Sequence, residues 1–375
     1  YAGALDNEGE KLKLEDPLNE TILEFSFDDD WQKPTDGKSY ALVVVNPTNC
    51  QEAWCWSTNW TTGDLPNGTP GFDEPSADER GVVINELLAH TDATQDWIEV
   101  HNTGSNTVDI GGWLLSDNPT ELAKFEIPAG TVLTGGAFAV FSEADFNQIG
   151  NPGCLSSFAL SELGDNARLS SGNGGVPGGY RIGVHFGASD REVTFGRYLT
   201  SDERAVFPAL AWATPGASNA PPKVGPFVIS ELMYHPAPGG FEYVEIRNIA
   251  ATNVLLYDPL HVTNTWKLTG GVDYTFPGGQ IMTARKHTLV VGIDPVQFRS
   301  SCHVPADIAI FGPFSGLLNN DGEAVRLRKP GDPETNGIVP YILADEVDYD
   351  DEAPWPIGAS GTGSSIERVN DAAYG

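Results

Sequence analysis

Apolar residues in this chain come in short runs bounded by Gly, Pro, Asn and Asp, a spacing that predicts strands rather than helices. Near the start, Leu12 and Leu14 alternate with Lys11 and Lys13, which predicts a half-buried strand. Ile22, Phe25 and Phe27 mark a second strand, and the unbroken run YALVVV (40–45) predicts a buried third. Strands are then predicted at 82–88, 97–101, 113–116, 124–127, 137–141, 167–170 and 192–198. A further series is predicted at 227–234, 243–248, 266–269, 274–276, 288–291, 324–328 and 344–349. Gly104, Gly111-Gly112 and Gly135-Gly136 punctuate the middle series as turns.

The pattern repeats. VVINELLAHTDATQDWIEVHN returns as FVISELMYHPAPGGFEYVEIRN: a β-branched run ending in Ile-x-Glu, then an acid-x-x-Glu strand closing on Asn, then a Trp-led strand at Trp113 or Trp266. Residues 1–10 (YAGALDNEGE) match 314–323 (FSGLLNNDGE), and FSFDDDW matches VDYDDEAPW. The tripeptide Thr-Pro-Gly closes two stretches, at 69–71 and 214–216. The chain therefore reads as about two and a half units with a period near 150 residues, the length of tandem domains rather than of solenoid repeats. Their expected extents are 1–72 (a back half), 81–218 (complete) and 226–375 (complete but for the closing Thr-Pro-Gly). Alternating strands of this kind bury both inner faces when two sheets stack. The expected class is all-β, tandem immunoglobulin-like β-sandwiches, with Trp113 and Trp266 in the cores.

Charge narrows the partners. A formal net charge of -31 repels nucleic-acid phosphates and anionic membranes, and it suits a saline medium or divalent cations. No signal-peptide pattern opens the chain, and no apolar run reaches the roughly 20 residues a membrane-spanning segment needs. Cys50 and Cys55 lie close together in CQEAWC, a spacing unlike that of zinc sites. A short disulfide loop is expected there, and with it an oxidising compartment. Spacing does not say whether Cys154 and Cys302 pair.

Oxygen ligands near strand ends suit calcium, a hard cation. The candidates are Glu86, Asp96 and Glu99, which recur as Glu231, Glu242 and Glu245. The same carboxylates could instead cap turns or pair with backbone amides, and a buried carboxylate needs some such partner. Asp28-Asp29-Asp30 and Asp348, Asp350, Asp351 and Glu352 are matching acidic loops, where the middle unit has Gly196-Arg197. Neither has the spacing of an EF-hand loop. Trp54, Trp56 and Trp60 cluster around the Cys loop, for stacking on a polysaccharide or for packing against another domain or subunit. Asn19, Asn59 and Asn67 head N-x-T sequons. His-Glu-x-x-His and Gly-x-Ser-x-Gly are absent, which argues against zinc-peptidase or serine-hydrolase chemistry.

The residues Ile84-Asn85-Glu86, DWIEVHN (96–102), VDIGGWLL (108–115) and IPAGTVL (127–133) resemble the lamin tail domain. ISELMYHP, NTWKLTGG and VDYDDEAPWP resemble its bacterial extracellular type. The resemblance implies an immunoglobulin-like β-sandwich without catalytic machinery. It points to a structural or adhesive protein of a cell-surface layer, fibre or matrix that associates with itself or with other surface proteins. The alternative it implies is an accessory region of a larger secreted hydrolase, for targeting or carbohydrate binding.

Overall fold

The computed structural model describes residues 4–37, 39–45, 47, 51–92, 95–201 and 204–374. The protein is all-β. Its strands form several sheets, and its longest helix among the described residues is Pro295–Cys302. No helix among those residues is long and apolar enough to cross a membrane. Backbone contacts divide the chain into two compact units: Tyr1–Ile84 with Glu99–Phe158 and Asn166–Val184, and Asn85–Ile98 with Ala159–Asp165 and His185–Gly375.

In the first unit, Lys11–Glu15 and Thr21–Ser26 form a two-stranded antiparallel hairpin, here the N-terminal hairpin. Tyr40–Val44 pairs with Trp60–Pro66. This apolar run, expected to be buried, is only half-buried, in a sheet of two strands among the described residues. Farther along, Leu114–Ser116 lies between Phe125–Glu126 and Gly164–Asn173, with Leu115 opposite both Phe125 and Leu169. Trp113 is buried there, 5.6 Å from the Tyr180 ring, and the Tyr180 hydroxyl donates to the Val82 carbonyl at 2.7 Å. Tyr180 belongs to a long strand, Val176–Gly187, that periodicity does not predict. Its sequence, VPGGYRIGVHFG, reads as a turn. The glycines serve close approach instead: a Cβ on Gly178 would collide with Ser171 Oγ.

Residues 226–374 of the second unit form a two-layer sandwich. One sheet runs Ala309–Phe311, His287–Val291, Tyr243–Asn248, Phe227–Met233, Ile366–Glu367. The other runs Ser315–Gly316, Val272–Thr275, Lys267–Gly270, Gly322–Pro330, Tyr341–Asp350. Their inner faces bury Phe227, Ile229, Ile246, Trp266, Leu268, Val325 and Leu327 in one core. Packing two such apolar faces out of water stabilises the layers at about 25 cal/mol per Å² of area buried. The unpredicted helix Pro295–Cys302 buries Phe298 against Leu289 and Val291 on the outside of the first sheet. Its signal is local: Asp294 caps the Val296 and Gln297 amides, and Pro295 opens the first turn.

Gly322–Pro330 and Tyr341–Asp350 make a C-terminal hairpin that matches the N-terminal one pair for pair. Leu12 faces Phe25 as Val325 faces Val347, Lys13 faces Glu24 as Arg326 faces Glu346, and Leu14 faces Leu23 as Leu327 faces Asp345. The bulge follows at the same place, Leu14/Glu15 and Leu327/Arg328. Gly9 and Gly322 enter with φ of 99° and 114°, and a Cβ on them would lie 2.5 Å from Phe27 O and 2.6 Å from Tyr349 O. Only glycine fits there.

Candidate functional site

The repeated Ile-x-Glu glutamate is reached from far along the chain. Glu86 is buried, its strand Val82–Leu88 pairing with Phe195–Gly196. The Thr214 amide donates to its two oxygens at 3.0 and 3.2 Å, and the Thr214 hydroxyl donates at 2.7 Å. The closing Thr-Pro-Gly thus supplies the donors that this carboxylate needs. The later stretch has no such tripeptide, and there the Tyr243 hydroxyl, at 2.6 Å, and the Ser365 hydroxyl donate to Glu231. Burial pushes the Tyr243 phenol well above its ordinary range, and the neighbouring Glu231 adds to the shift.

Glu231 and Glu245 stand opposite one another across adjacent strands, with Glu367 in register beyond Glu231. Glu245 accepts from Ser230 Oγ at 2.8 Å and lies 2.7 Å from His287 Nδ1. Glu242 accepts the Leu318 amide at 3.0 Å. Burial raises its carboxyl above the ordinary range, against that hydrogen bond. Asp96 and Glu99 are buried and partnered.

The two acidic turns share one device. Asp28 Oδ1 caps the Asp30 amide at 3.0 Å, and Asp350 Oδ1 caps the Glu352 amide at 2.8 Å. One carboxylate oxygen from each of Asp28, Asp29 and Asp30 can come within 4.8 Å of the others. Asp348 and Asp350 are exposed and form no such group among the described residues. Gly196-Arg197 does not stand at the acidic-turn position expected from the repeat. Gly196 faces Glu86 as Glu367 faces Glu231, and the Arg197 and Arg368 amides donate to Asn85 O and Ser230 O at 2.7 and 2.8 Å. The predicted strand 192–198 is here two short pairings, Phe195–Gly196 and Tyr198–Leu199.

Trp54 and Trp60 close into an aromatic cluster with Phe25 and Trp31, the Trp60 indole donating to Trp54 O at 2.7 Å. Trp56 stands outside it, 67% exposed. Among the described residues, Cys154 and Cys302 are free thiols. Cys50 lies outside the described residues, and with it the expected Cys50–Cys55 pair. The Asn59 amide is taken up by the Ala53 carbonyl at 2.8 Å, whereas Asn19 and Asn67 are exposed.

Three groups were not among the candidate site residues. Asn102 and Asn248, the last residues of the acid-x-x-Glu strands, are buried alike. The Asn102 amide donates to Asn106 O, Leu133 O and Thr134 O at 2.8–3.3 Å, and its oxygen accepts the Gly104 amide at 3.0 Å. Asn248 does the same with Thr252 O, Met282 O, Thr283 O and the Ala250 amide, at 2.9–3.2 Å. Their recurrence at the same place was the available signal. Arg368 and Asp345 form a buried pair at 2.6 Å, with the Ile229 amide donating to Asp345 at 2.7 Å. Asp190 binds Lys223 at 2.8 Å and Lys329 at 2.5 Å. Burial alone would raise its carboxyl, but the hydrogen bonds to Lys223 and Lys329 outweigh it and hold the group below its ordinary range. Asp190 and Lys329 also line a cavity of about 290 Å³ with His90, Tyr257 and Asp258, none of them a predicted site residue.

Residues 75–180 match the lamin tail domain family, an immunoglobulin-like β-sandwich. No curated protein and no solved structure matches the chain.

Proposed function

We propose, with the lamin-tail-like domain at residues 75–180 as premise, that this chain is a non-catalytic building block of an extracellular layer, fibre or matrix. It would be assembled from lamin-tail-type sandwiches at 81–218 and 226–375 and the back half of another at 1–72. One observation carries the reading: the residues singled out by the repetition serve the strands that bear them. Asn102 and Asn248 tie neighbouring loops to their strand ends. Glu86 and Glu231 accept donors brought by later segments of the chain. A protein whose motif residues hold sandwiches together offers surface, spacing and contact rather than turnover. The charge of -31 keeps such a surface soluble in salt and draws divalent cations to it. Calcium belongs to this reading at the Asp28-Asp29-Asp30 turn, whose carboxylates already converge.

Electron microscopy of the natural material, with and without a calcium chelator, tests it. Regular filaments or sheets are expected, loosened by chelation. Dispersed monomers in both conditions would overturn the structural role in favour of an accessory region of a secreted enzyme. Retention on a polysaccharide column that is lost on Trp56→Ala would argue for sugar binding instead.

A further inference from the structure

The two matching hairpins differ at one edge. Gly322–Pro330 has Tyr341–Asp350 on one side and Lys267–Gly270 on the other, with Leu327 opposite Leu268. In Gly164–Asn173 the corresponding Leu169 stands opposite Leu115. Among the described residues, Lys11–Glu15 pairs with a strand on one side only. Leu14, the counterpart of both leucines, is 55% exposed where they are 0%. The Phe27 amide donates to Glu10 O, so antiparallel alternation turns the backbone groups of Lys11 and Lys13 away from Thr21–Ser26. Those groups and the apolar face of Leu12, Leu14 and Leu23 form an open pairing template.

We infer that this edge docks a strand of the Trp-x-Leu-x kind from the front half of a further lamin-tail-type sandwich, by strand addition. The chain shows what such a strand looks like. Trp266-Lys267-Leu268-Thr269 and Trp113-Leu114-Leu115-Ser116 both set a leucine against the hairpin leucine. Both bury the tryptophan against an aromatic, Phe227 at 4.7 Å and Tyr180 at 5.6 Å. The same register places the incoming leucine opposite Leu14, and a slip of one residue would turn it to the face of Lys11 and Lys13. The inference rests on the modular reading above and adds the partner to it.

Hydrogen exchange on the 375-residue chain tests this, alone and with a synthetic peptide of residues 264–272. In the chain alone, the Lys11 and Lys13 amides are expected to exchange at least about a hundredfold faster than that of Arg326. The peptide is expected to slow them by about tenfold or more. A peptide carrying Trp266→Ser and Leu268→Ser should not, and the exposed Leu14→Lys change should abolish the effect while the chain stays folded. Protection of Lys11 and Lys13 equal to that of Arg326 in dilute chain alone would overturn the inference. So would a peptide without effect. Protection that rises with chain concentration would overturn it too, by making a second copy the occupant. None of these results bears on the modular reading, which the microscopy tests separately.

Discussion

In the C-terminal hairpin Val325 and Leu327 are wholly buried, whereas at the same register positions of the N-terminal hairpin Leu12 is half-buried and Leu14 mostly open. Cross-strand pairs, bulge and entry glycine are common to both. The difference shows that two kinds of information act at different ranges. Register follows from side-chain pairing across one ladder and from a turn that only glycine can make, so it survives wherever the hairpin sits. Burial depends on what lies beyond the ladder. Lys267–Gly270 and the opposite sheet cover the C-terminal hairpin, and nothing equivalent among the described residues pairs with Lys11–Glu15.

The comparison can be broken most severely at Asp345. Arg368→Ala leaves that buried carboxylate without its guanidinium and should cost about 3–5 kcal/mol, read as an earlier denaturant midpoint for the sandwich at 226–375. The counterpart position in the N-terminal hairpin is Leu23, which has no charge to strand. A loss under about 1 kcal/mol for Arg368→Ala would show that Asp345 has another support.

Next comes the paired leucine experiment. Leu327→Ala empties a closed core site and should cost about 2–5 kcal/mol. Leu14→Ala, at the matching exposed site, should change stability by no more than about 0.5 kcal/mol. Equal losses would mean that the two hairpins are equally covered in solution.

The smallest effect is acid-dependent. Lys329 of the C-terminal hairpin holds Asp190, whereas Asp16 follows Glu15 at the matching place in the other. Because the folded-state pKa of Asp190 is depressed, its contribution is complete above the ordinary value of 3.8 and is lost as pH falls through the lower folded-state value. Asp190→Asn should cost about 1–2 kcal/mol at neutral pH and flatten the acid limb of the stability curve. An unchanged acid limb would remove Asp190 from the account.

Much of the fold was legible. The run 82–88 is the strand Val82–Leu88 residue for residue, and Trp113 and Trp266 are in the interior. Both follow from alternation and size. The candidate carboxylates were legible as groups in need of partners, but the partners were not. Thr214 stands 128 positions from Glu86, and no spacing rule connects them. Val176–Gly187 was missed because glycine has the same letter whether it makes a turn or admits a neighbouring side chain.

The sequence by itself determined where many of the strands lie and that the strand pattern recurs. These depend on φ/ψ preference, side-chain alternation and turn chemistry within a few residues. Only the tertiary structure decided which acids are buried, which hydroxyls and amides meet them, and why Leu14 is open where Leu327 is closed. Burial and hydrogen bonding are set by neighbours that arrive from distant parts of the chain, and one-dimensional spacing carries no record of those neighbours.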